Sequence, residues 1–514
     1  MEEKIGVAYR ASLCALRSGR NQLSIWNRLP DELLLMIFLL SNSEDVRVMF
    51  QYIHLTWVCR RWRTLALGHA EFWTNVDLND VEAEVAEEFV ARSKGAKLSV
   101  VMACRPHDTS QNVEEEHHRL LREVIGPQFG RVEYLDLDIC PDGWEETIPI
   151  LQLPAPVLRH FQLLFDPANG DAIDDPNFTL PADLFKATAQ LRILRLYGVA
   201  PSRVSLGSMI HGLRQLKLMV SDSTPVLDTL EACPALELLH LTVDPVPSPL
   251  ALESASAAPR SITMPRLSSV SLNDVCFLCH ISTPLLKRLR LRVWDDAPAM
   301  LADQVARLFD LRALLMVVIG VGNDYPRRDH RDLPVSFQGW LDDAAVADVG
   351  EYDSEDPDGE DEDVALELTF HRVDLEALQN LWPALVARAT NVTILGLYNF
   401  HTPEEVELVK HTVRHANKAT HVSIGLEEDV RFLLPVFGDP SVCPELGSLT
   451  YKGIFDRAAL GKELVSLVKA RRNGPANIKK IQLVGCPWMV GGWAAELKGS
   501  DVDVQFLPEI LSDC

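Results

Sequence analysis

Cysteine is scarce in this chain: ten residues among 514, at Cys14, Cys59, Cys104, Cys140, Cys233, Cys276, Cys279, Cys443, Cys486 and Cys514, scattered over its length. Disulfide frameworks belong to small secreted domains with dense cysteines, so reduced thiols are expected. Positive charge is short as well, 49 Lys and Arg against 73 Asp and Glu, a net charge of −24. Broad binding to nucleic acid or to an anionic membrane needs a basic field, and this deficit argues against both while leaving a local basic patch open. The longest apolar runs fall far short of the ~20 residues that cross a bilayer. The start, MEEKIGVAYR, is charged from its second residue and has no apolar core, so no secretory signal is expected. A soluble cytoplasmic or nuclear protein follows, and in that setting the sequons at Asn177 and Asn391 carry no meaning.

Catalytic signatures are missing too. There is no Walker loop, no Gly-x-Ser-x-Gly elbow and no dinucleotide fingerprint. Cys276-Phe277-Leu278-Cys279-His280 spells the haem-attachment pattern, but haem attachment needs export and a zinc site needs two more ligands at useful spacing; buried small hydrophobes are expected instead. His330-Arg331-Asp332-Leu333 imitates a kinase catalytic loop, yet Phe337 stands where its Asn should follow, and no Gly-rich loop or Asp-Phe-Gly accompanies it. His117 and His118 are adjacent and cannot both face one metal from a helix, so a solvated face is expected there. No enzyme, cofactor or metal is read from this sequence.

What is present is a chain 47% hydrophobic, long enough for several domains or an extended repeat. Its most informative stretch runs from Leu29 to Leu78. Pro30 suits the first turn of a helix, and Asp31 and Glu32 sit at the positive end of that helix's dipole. The run from Leu33 to Leu40 would be apolar on every side of a helix, more than one small helix can bury. Ser41, Asn42 and Ser43 break it. A second helical segment carries Val46, Val48, Met49, Ile53 and Leu55, and a third begins near Trp57, with Trp57, Val58, Trp62, Leu65 and Leu67 facing inward and Arg60, Arg61 and Arg63 facing water.

Leu29-Pro30 with Glu32 and Leu33, Ile37-Phe38, then Val58-Cys59-Arg60-Arg61-Trp62-Arg63 and Trp73 together resemble an F-box. The resemblance implies that Leu29, Pro30, Leu33, Ile37, Phe38, Val58 and Trp62 engage a Skp-type adaptor and become part of a joint core. The bland alternative is an ordinary three-helix cap on the domain that follows.

After this segment, Val81 to Ser93 has the spacing of an amphipathic helix and Leu98 to Ala103 that of a strand, followed by a polar stretch around Glu114–Glu116. From there a pattern recurs seven times, at Val132-x-x-Leu135-x-Leu137, Leu158-x-x-Phe161-x-Leu163, Leu191-x-x-Leu194-x-Leu196, Leu213-x-x-Leu216-x-Leu218, Leu236-x-x-Leu239-x-Leu241, Leu267-x-x-Val270-x-Leu272 and Leu286-x-x-Leu289-x-Leu291. The copies lie about 19 to 33 residues apart, around the leucine-rich-repeat period. Weaker copies follow at Leu311, Val392, Leu446 and Ile478. Each copy predicts a short strand with its Leu residues in a shared core, stacked in parallel with its neighbours. Return helices are expected at Val226–Ala232, Met300–Phe309, Leu375–Ala389, Pro403–Asn417 and Ala458–Arg472.

The expected architecture is therefore α/β: a partly ordered lead (1–24), a three-helix F-box (25–78), a linker helix and first strand (79–128), and an irregular leucine-rich-repeat solenoid with convex-side helices (129–514). Residues 341–363 carry a dense run of Asp and Glu without an EF-hand register and are expected to form a disordered acidic insert. The variable position before the last Leu of each copy should face outward. Among these, Arg195, Lys217, His240 and Arg290 would make a locally basic strip able to read acidic or phosphorylated peptides, against the plainer reading of ordinary polar strand positions.

The chain is similar to fungal F-box proteins with degenerate leucine-rich repeats. That resemblance implies a substrate-recognition subunit of an SCF-type (Skp, cullin, F-box) ubiquitin ligase, reaching a cullin scaffold through the adaptor, holding a protein substrate on the repeats, and binding neither nucleic acid nor membrane. The alternative is a leucine-rich-repeat scaffold outside any ligase.

Overall fold

The computed structural model describes residues 9, 12–13, 15–17, 19–21, 23–40, 51–79, 81–103, 111–139, 143–165, 180, 184–185, 190–198, 207–220, 224–243, 261–273, 275–294, 301–314, 316–321, 335–341, 364–371, 375–398, 403–425, 433–452, 457–472, 477–484, 493, 496–497 and 499–507. The expectations for residues 342–363 and for His330-Arg331-Asp332-Leu333 lie outside the described residues. The fold is mixed α/β and divides into two compact units, Met1–Leu236 and Glu237–Cys514. Among the described residues no helix is long and apolar enough to cross a membrane.

The first unit begins with three short helices, α1 (Asp31–Leu40), α2 (Gln51–Val58) and α3 (Arg60–Gly68), closed by a single 3-10 turn at Ala70–Trp73. Strand β1 (Asn75–Asp77), helix α4 (Ala83–Arg92) and strand β2 (Leu98–Met102) follow. Then come α5 (Gln111–Leu120), β3 (Val132–Ile139), α6 (Trp144–Leu151), β4 (His160–Phe165), β5 (Ile193–Tyr197), β6 (Gln215–Val220) and α7 (Thr224–Glu231). Strands β1 to β6 pair in sequence order, all parallel.

The register explains the recurring leucines. Leu135, Phe161, Leu194 and Leu216 are successive cross-strand partners, as are Leu137, Leu163, Leu196 and Leu218, and none is more than 1% exposed. Alternation sends every second side chain to one face, so each copy adds a rung to two continuous apolar columns. Burying one such Leu contributes about 1.5–3 kcal/mol, so the columns dominate the unit's stability. Gly198, with φ +73, ends β5 where an added Cβ would meet the Phe165 carbonyl oxygen at 2.4 Å. Arg131 satisfies carbonyls behind α4, donating to Val90 O at 3.1 Å and Ala96 O at 2.7 Å; burial lowers its pKa.

Two details differ from the sequence expectation. The stretch around Glu114–Glu116 is helical, in α5, and His117 and His118 are buried rather than solvated, with His118 Nδ1 3.4 Å from Thr147 Oγ1. With two histidines beside a single buried leucine, Leu120, on its inward side, this helix has little hydrophobic periodicity to read.

The second unit holds β7 (Leu238–Val243), β8 (Ile262–Thr263), β9 (Ser269–Leu272), β10 (Ile281–Ser282), β11 (Arg288–Trp294), α8 (Leu301–Leu308), β12 (Met316–Val321), β13 (Val335–Trp340) and β14 (Leu366–His371). It continues with α9 (Leu375–Arg388), β15 (Ile394–Tyr398), α10 (Pro403–Val413), β16 (His421–Gly425), α11 (Leu434–Gly438), β17 (Ser448–Lys452), α12 (Arg457–Arg471), β18 (Lys480–Val484) and β19 (Asp503–Leu507). Hydrogen-bonded neighbours run β7-β9-β11-β14-β13-β12-β15-β16-β17-β18-β19.

The strands are not all parallel, which corrects the sequence expectation. β13 runs antiparallel to both β12 and β14, so the order locally reverses before β15 pairs in parallel with β12. An apolar run such as Met316-Val317-Val318-Ile319 lacks the Leu spacing of the repeats, and its partners are chosen by long-range register. The columns resume beyond it as Leu395, Val422, Leu449, Ile481 and Val504. Arg471 at the end of α12 is fully buried, donating to Phe437 O at 2.6 Å, Cys443 O at 2.9 Å and Asp439 O at 3.3 Å, and also to Val442 O. Four carbonyls thus replace the carboxylate that a buried guanidinium usually meets, and burial lowers its pKa.

Candidate functional site

The amino-terminal helices bury little of their own hydrophobic surface. In α1, Leu34 and Phe38, four residues apart, face inward; Phe38, 3% exposed, packs on Trp62 with ring centroids 4.6 Å apart and on Phe72 at 6.3 Å. Trp73 donates Nε1 to Ala66 O at 2.9 Å, meets Phe89 edge-on at 4.8 Å, and carries the Arg92 guanidinium 4.6 Å from its ring, tying the helices to α4. Arg61 of α3 donates to Leu29 O at 2.5 Å and pairs with Asp31, so it holds the first turn of α1 in place.

The opposite side of α1 is apolar and open to solvent. Leu33, Met36, Ile37 and Leu40 follow the i, i+3, i+4, i+7 spacing of one helix face and are 45, 57, 38 and 78% exposed. Trp57 and Val58 at the end of α2 are 69 and 56% exposed. Pro30 is exposed and Leu29 half-buried beside them in sequence. Water contact of this much aliphatic and aromatic surface on one small module is the signature of a surface that docks on something else.

Of the residues singled out from sequence, Leu33, Ile37, Val58 and Pro30 are exposed and Leu29 is partly so. Phe38 does not join that face: it is the inward member of the i, i+4 pair with Leu34. Trp62 is also turned toward Phe38 and is only partly exposed, with its indole Nε1 buried and without a hydrogen-bond partner. Periodicity does not single out Met36 and Leu40, because an unbroken apolar run does not say which of its faces a neighbour covers, and Trp57 and Val58, which their spacing turns inward, are exposed instead.

Residues 26–79 match a family model described as F-box-like, roughly a tenth of the chain. No curated protein matches the chain. The matched segment contains the whole exposed apolar face of α1 and α2, and an F-box-like domain is a module that docks on Skp-type adaptors.

The sheet faces offer a second kind of surface. In the first unit, Asp136, Gln162, Arg195 and Lys217 are successive cross-strand partners. Arg195 Nη1 donates to Gln162 Oε1 at 3.3 Å. Lys217 is only 6% exposed, so this row is not an evenly open basic strip; crowding against neighbours on the face covers its stem. His160, on the same face as Gln162, packs on Tyr134 with ring centroids 4.3 Å apart and the rings tilted by 52°, and burial together with nearby Arg195 lowers its pKa to about 4. The spacing rule did not single it out, although it has the same strand parity as Gln162.

In the second unit, His240, Ser271, Arg290 and Glu367 are successive partners, and β11 adds Arg288 and Arg292 on the side of Arg290. Further along, hydroxyl, imidazole and amide groups join the face, with Lys480 and Asp503 in the row of His421 and Ser448. Tyr398 OH lies 2.9 Å from Ser423 Oγ, His421 Nδ1 3.0 Å from Ser448 Oγ, and Thr450 Oγ1 bridges His421 Nε2 at 3.1 Å and Gln482 Oε1 at 3.2 Å. Gln482 then donates to Gln505 Oε1 at 3.2 Å. Burial, with Lys480 nearby, lowers the pKa of His421.

Ser448 Oγ and His421 Nδ1 are within hydrogen-bond reach, but the other ring nitrogen meets the Thr450 hydroxyl rather than an orienting carboxylate. Cys233 and Cys443 are buried, and burial pushes both thiols up to about 12, where no thiolate forms at neutral pH. Around Cys279, Phe277 and Leu278 are buried, and Arg307 donates to Leu278 O at 2.5 Å, which makes this 3-10 turn a packed connection. Among the described residues no group of His, Cys, Asp and Glu is placed to hold a metal ion.

Proposed function

We propose that this chain is the substrate-recognition subunit of an SCF-type ubiquitin ligase, docking on a Skp-type adaptor, and through it on a cullin scaffold, with the helices of residues 26–79. The carrying observation is that the F-box-like match coincides with an exposed apolar face built from Leu33, Met36, Ile37, Leu40, Trp57 and Val58. Leu29 and Pro30 extend that face, while Phe38 and Trp62 set its shape from behind. The register of Leu columns supports a leucine-rich-repeat reading of the sheet units, whose outward rows, including Arg195, His240 and Arg290 but not the covered Lys217, would hold the protein substrate.

In this reading no residue of the chain does ubiquitin chemistry. The chain works by proximity: a substrate held on the sheet shares one assembly with a ubiquitin-charged enzyme, which raises the effective concentration of the reacting groups. Co-purification with a Skp-type adaptor tests it. The parent chain should capture the adaptor, and Leu33→Asp with Ile37→Asp should weaken capture by about 100-fold, two buried anchors' worth, without lowering the melting temperature. Adaptor capture unchanged in the double variant, or absent in the parent, would refute the proposal.

A further inference from the structure

The three arginines of α3 are not equivalent. Spacing sets Arg60, Arg61 and Arg63 on one water-facing stripe, and Arg60 and Arg63 are exposed, but Arg61 is half-buried. Its guanidinium reaches back to residues 30 and 32 positions earlier in the chain: Nε donates to Asp31 Oδ1 at 2.9 Å, and Nη2 donates to Leu29 O at 2.5 Å and also to the same Asp31 oxygen. These two acceptors flank Pro30. Proline pushes the residue before it out of helical geometry, and Leu29 is extended, with φ −66 and ψ 143. Leu34 N donates to Pro30 O at 3.1 Å to close the first turn of α1, so the Leu29 carbonyl stands outside the helical ladder. Arg61 therefore ties together the last residue before the helix and the first one in it. A planar guanidinium fork fixes two such acceptors relative to one another, which the point charge of an ammonium does not.

The contact does little for the fold as a whole. The Arg61 and Asp31 side chains are 33 and 54% exposed, and an ion pair that open to water adds little to global stability. Its effect is local, on the turn that leads into the open face of Leu33, Met36, Ile37 and Leu40. Docking must pay for every segment it immobilises, and a turn already held in place has less freedom to lose. We infer that Arg61 is a positioning residue for adaptor docking: it presets the Leu29–Pro30 turn against α1 and acts through that turn without itself touching the adaptor. This rests on the adaptor-docking reading above and adds to it a residue that lies behind the docking surface.

The test uses the full chain and a recombinant Skp-type adaptor, with affinity read by calorimetric titration and folding by thermal melt. Arg61→Gln should weaken capture about 10-fold at an unchanged melting temperature, and Arg61→Lys, which keeps the charge and loses the fork, about 3-fold. Arg60→Gln and Arg63→Gln should each change capture by less than about 2-fold. Equal losses in all three positions would mean general charge attraction and overturn the positioning role, as would an unchanged Arg61→Gln. A double-variant cycle separates positioning from contact. In Leu29→Ala the further loss on Arg61→Gln should shrink to about 3-fold or less, whereas an undiminished loss would mean that Arg61 touches the adaptor itself. The free chain gives a readout that needs no adaptor: hydrogen exchange at the Leu34 amide should quicken about 3-fold or more in Arg61→Gln, and unchanged exchange would overturn the role. Should Arg61→Gln lose its cooperative melt, Asp31→Asn decides. It removes the anion that aims the guanidinium and should weaken capture about 3-fold, and no change overturns the role. A parent chain that does not capture the adaptor refutes the ligase reading, while the exchange measurement still judges the hold on the turn. Capture by the parent that Arg61→Gln leaves unchanged refutes the positioning role alone.

Discussion

Leucine meets opposite fates in two regions of the first unit. In the helix Asp31–Leu40, Leu33 and Leu40 are 45 and 78% exposed, whereas in the sheet Leu194, Leu196, Leu216 and Leu218 are at most 1% exposed. Both stretches are rich in the same residue, so composition does not separate them. The sheet finds its own cover because each new strand repeats the spacing of the last and extends a column already present. The short helices have two inward positions, Leu34 and Phe38, and too few neighbours to cover a third face. Surplus hydrophobicity is therefore core in one region and a solvent-exposed face, the proposed docking surface, in the other.

Substitutions can break that contrast. The largest effect should come from the sheet: Leu196→Ala, in the middle of a buried column, should cost about 3 kcal/mol, read from the denaturant midpoint, and leave adaptor capture intact. Arg471→Ala strips four carbonyl oxygens, three of them in buried contacts, of their donor and should cost about 2–3 kcal/mol by the same measurement. A smaller, pH-dependent effect should come from His160. Its pKa is lowered from 6.5 to about 4 in the folded chain, so as pH falls through this window the unfolded chain takes up the proton first and stability is lost, by at most ~1.4 kcal/mol per pH unit. That part of the stability profile should vanish in His160→Phe, and an NMR titration should find the native imidazole neutral at pH 6. Smallest of all, Met36→Ala on the open helix face should change stability by less than about 0.5 kcal/mol while still weakening adaptor capture. A large loss of stability there would mean that the face is core rather than interface.

Much of the fold was legible because it is built from local repetition. The return helix read over Leu375–Ala389 is observed at Leu375–Arg388, and that read over Ala458–Arg472 at Arg457–Arg471. The Leu-x-x-Leu-x-Leu copies fall on β3, β4, β5, β6, β7, β9 and β11, where the spacing itself states which side chains share a face. Elements without that spacing were not legible. The antiparallel β13 pairs with its neighbours in sequence, β12 and β14, without any Leu spacing that would announce it, and α5 turns His117, His118 and Leu120 inward. In the candidate docking module, the residue types and their order were readable but not which face was covered: Phe38 and Trp62 face each other, while Met36, Leu40 and Trp57 lie open.

By itself the sequence determined the elements whose periodicity matches their geometry, the absence of recognisable catalytic motifs, and a hydrophobic surplus near the amino terminus, since all three are properties of residues close together along the chain. Only the tertiary structure decided which apolar face of α1 is left to solvent, that Lys217 is covered while Arg288 is open, and that β13 reverses the ladder. Those outcomes depend on which distant side chains compete for the same space, and burial is settled by that competition rather than by any residue's own preference.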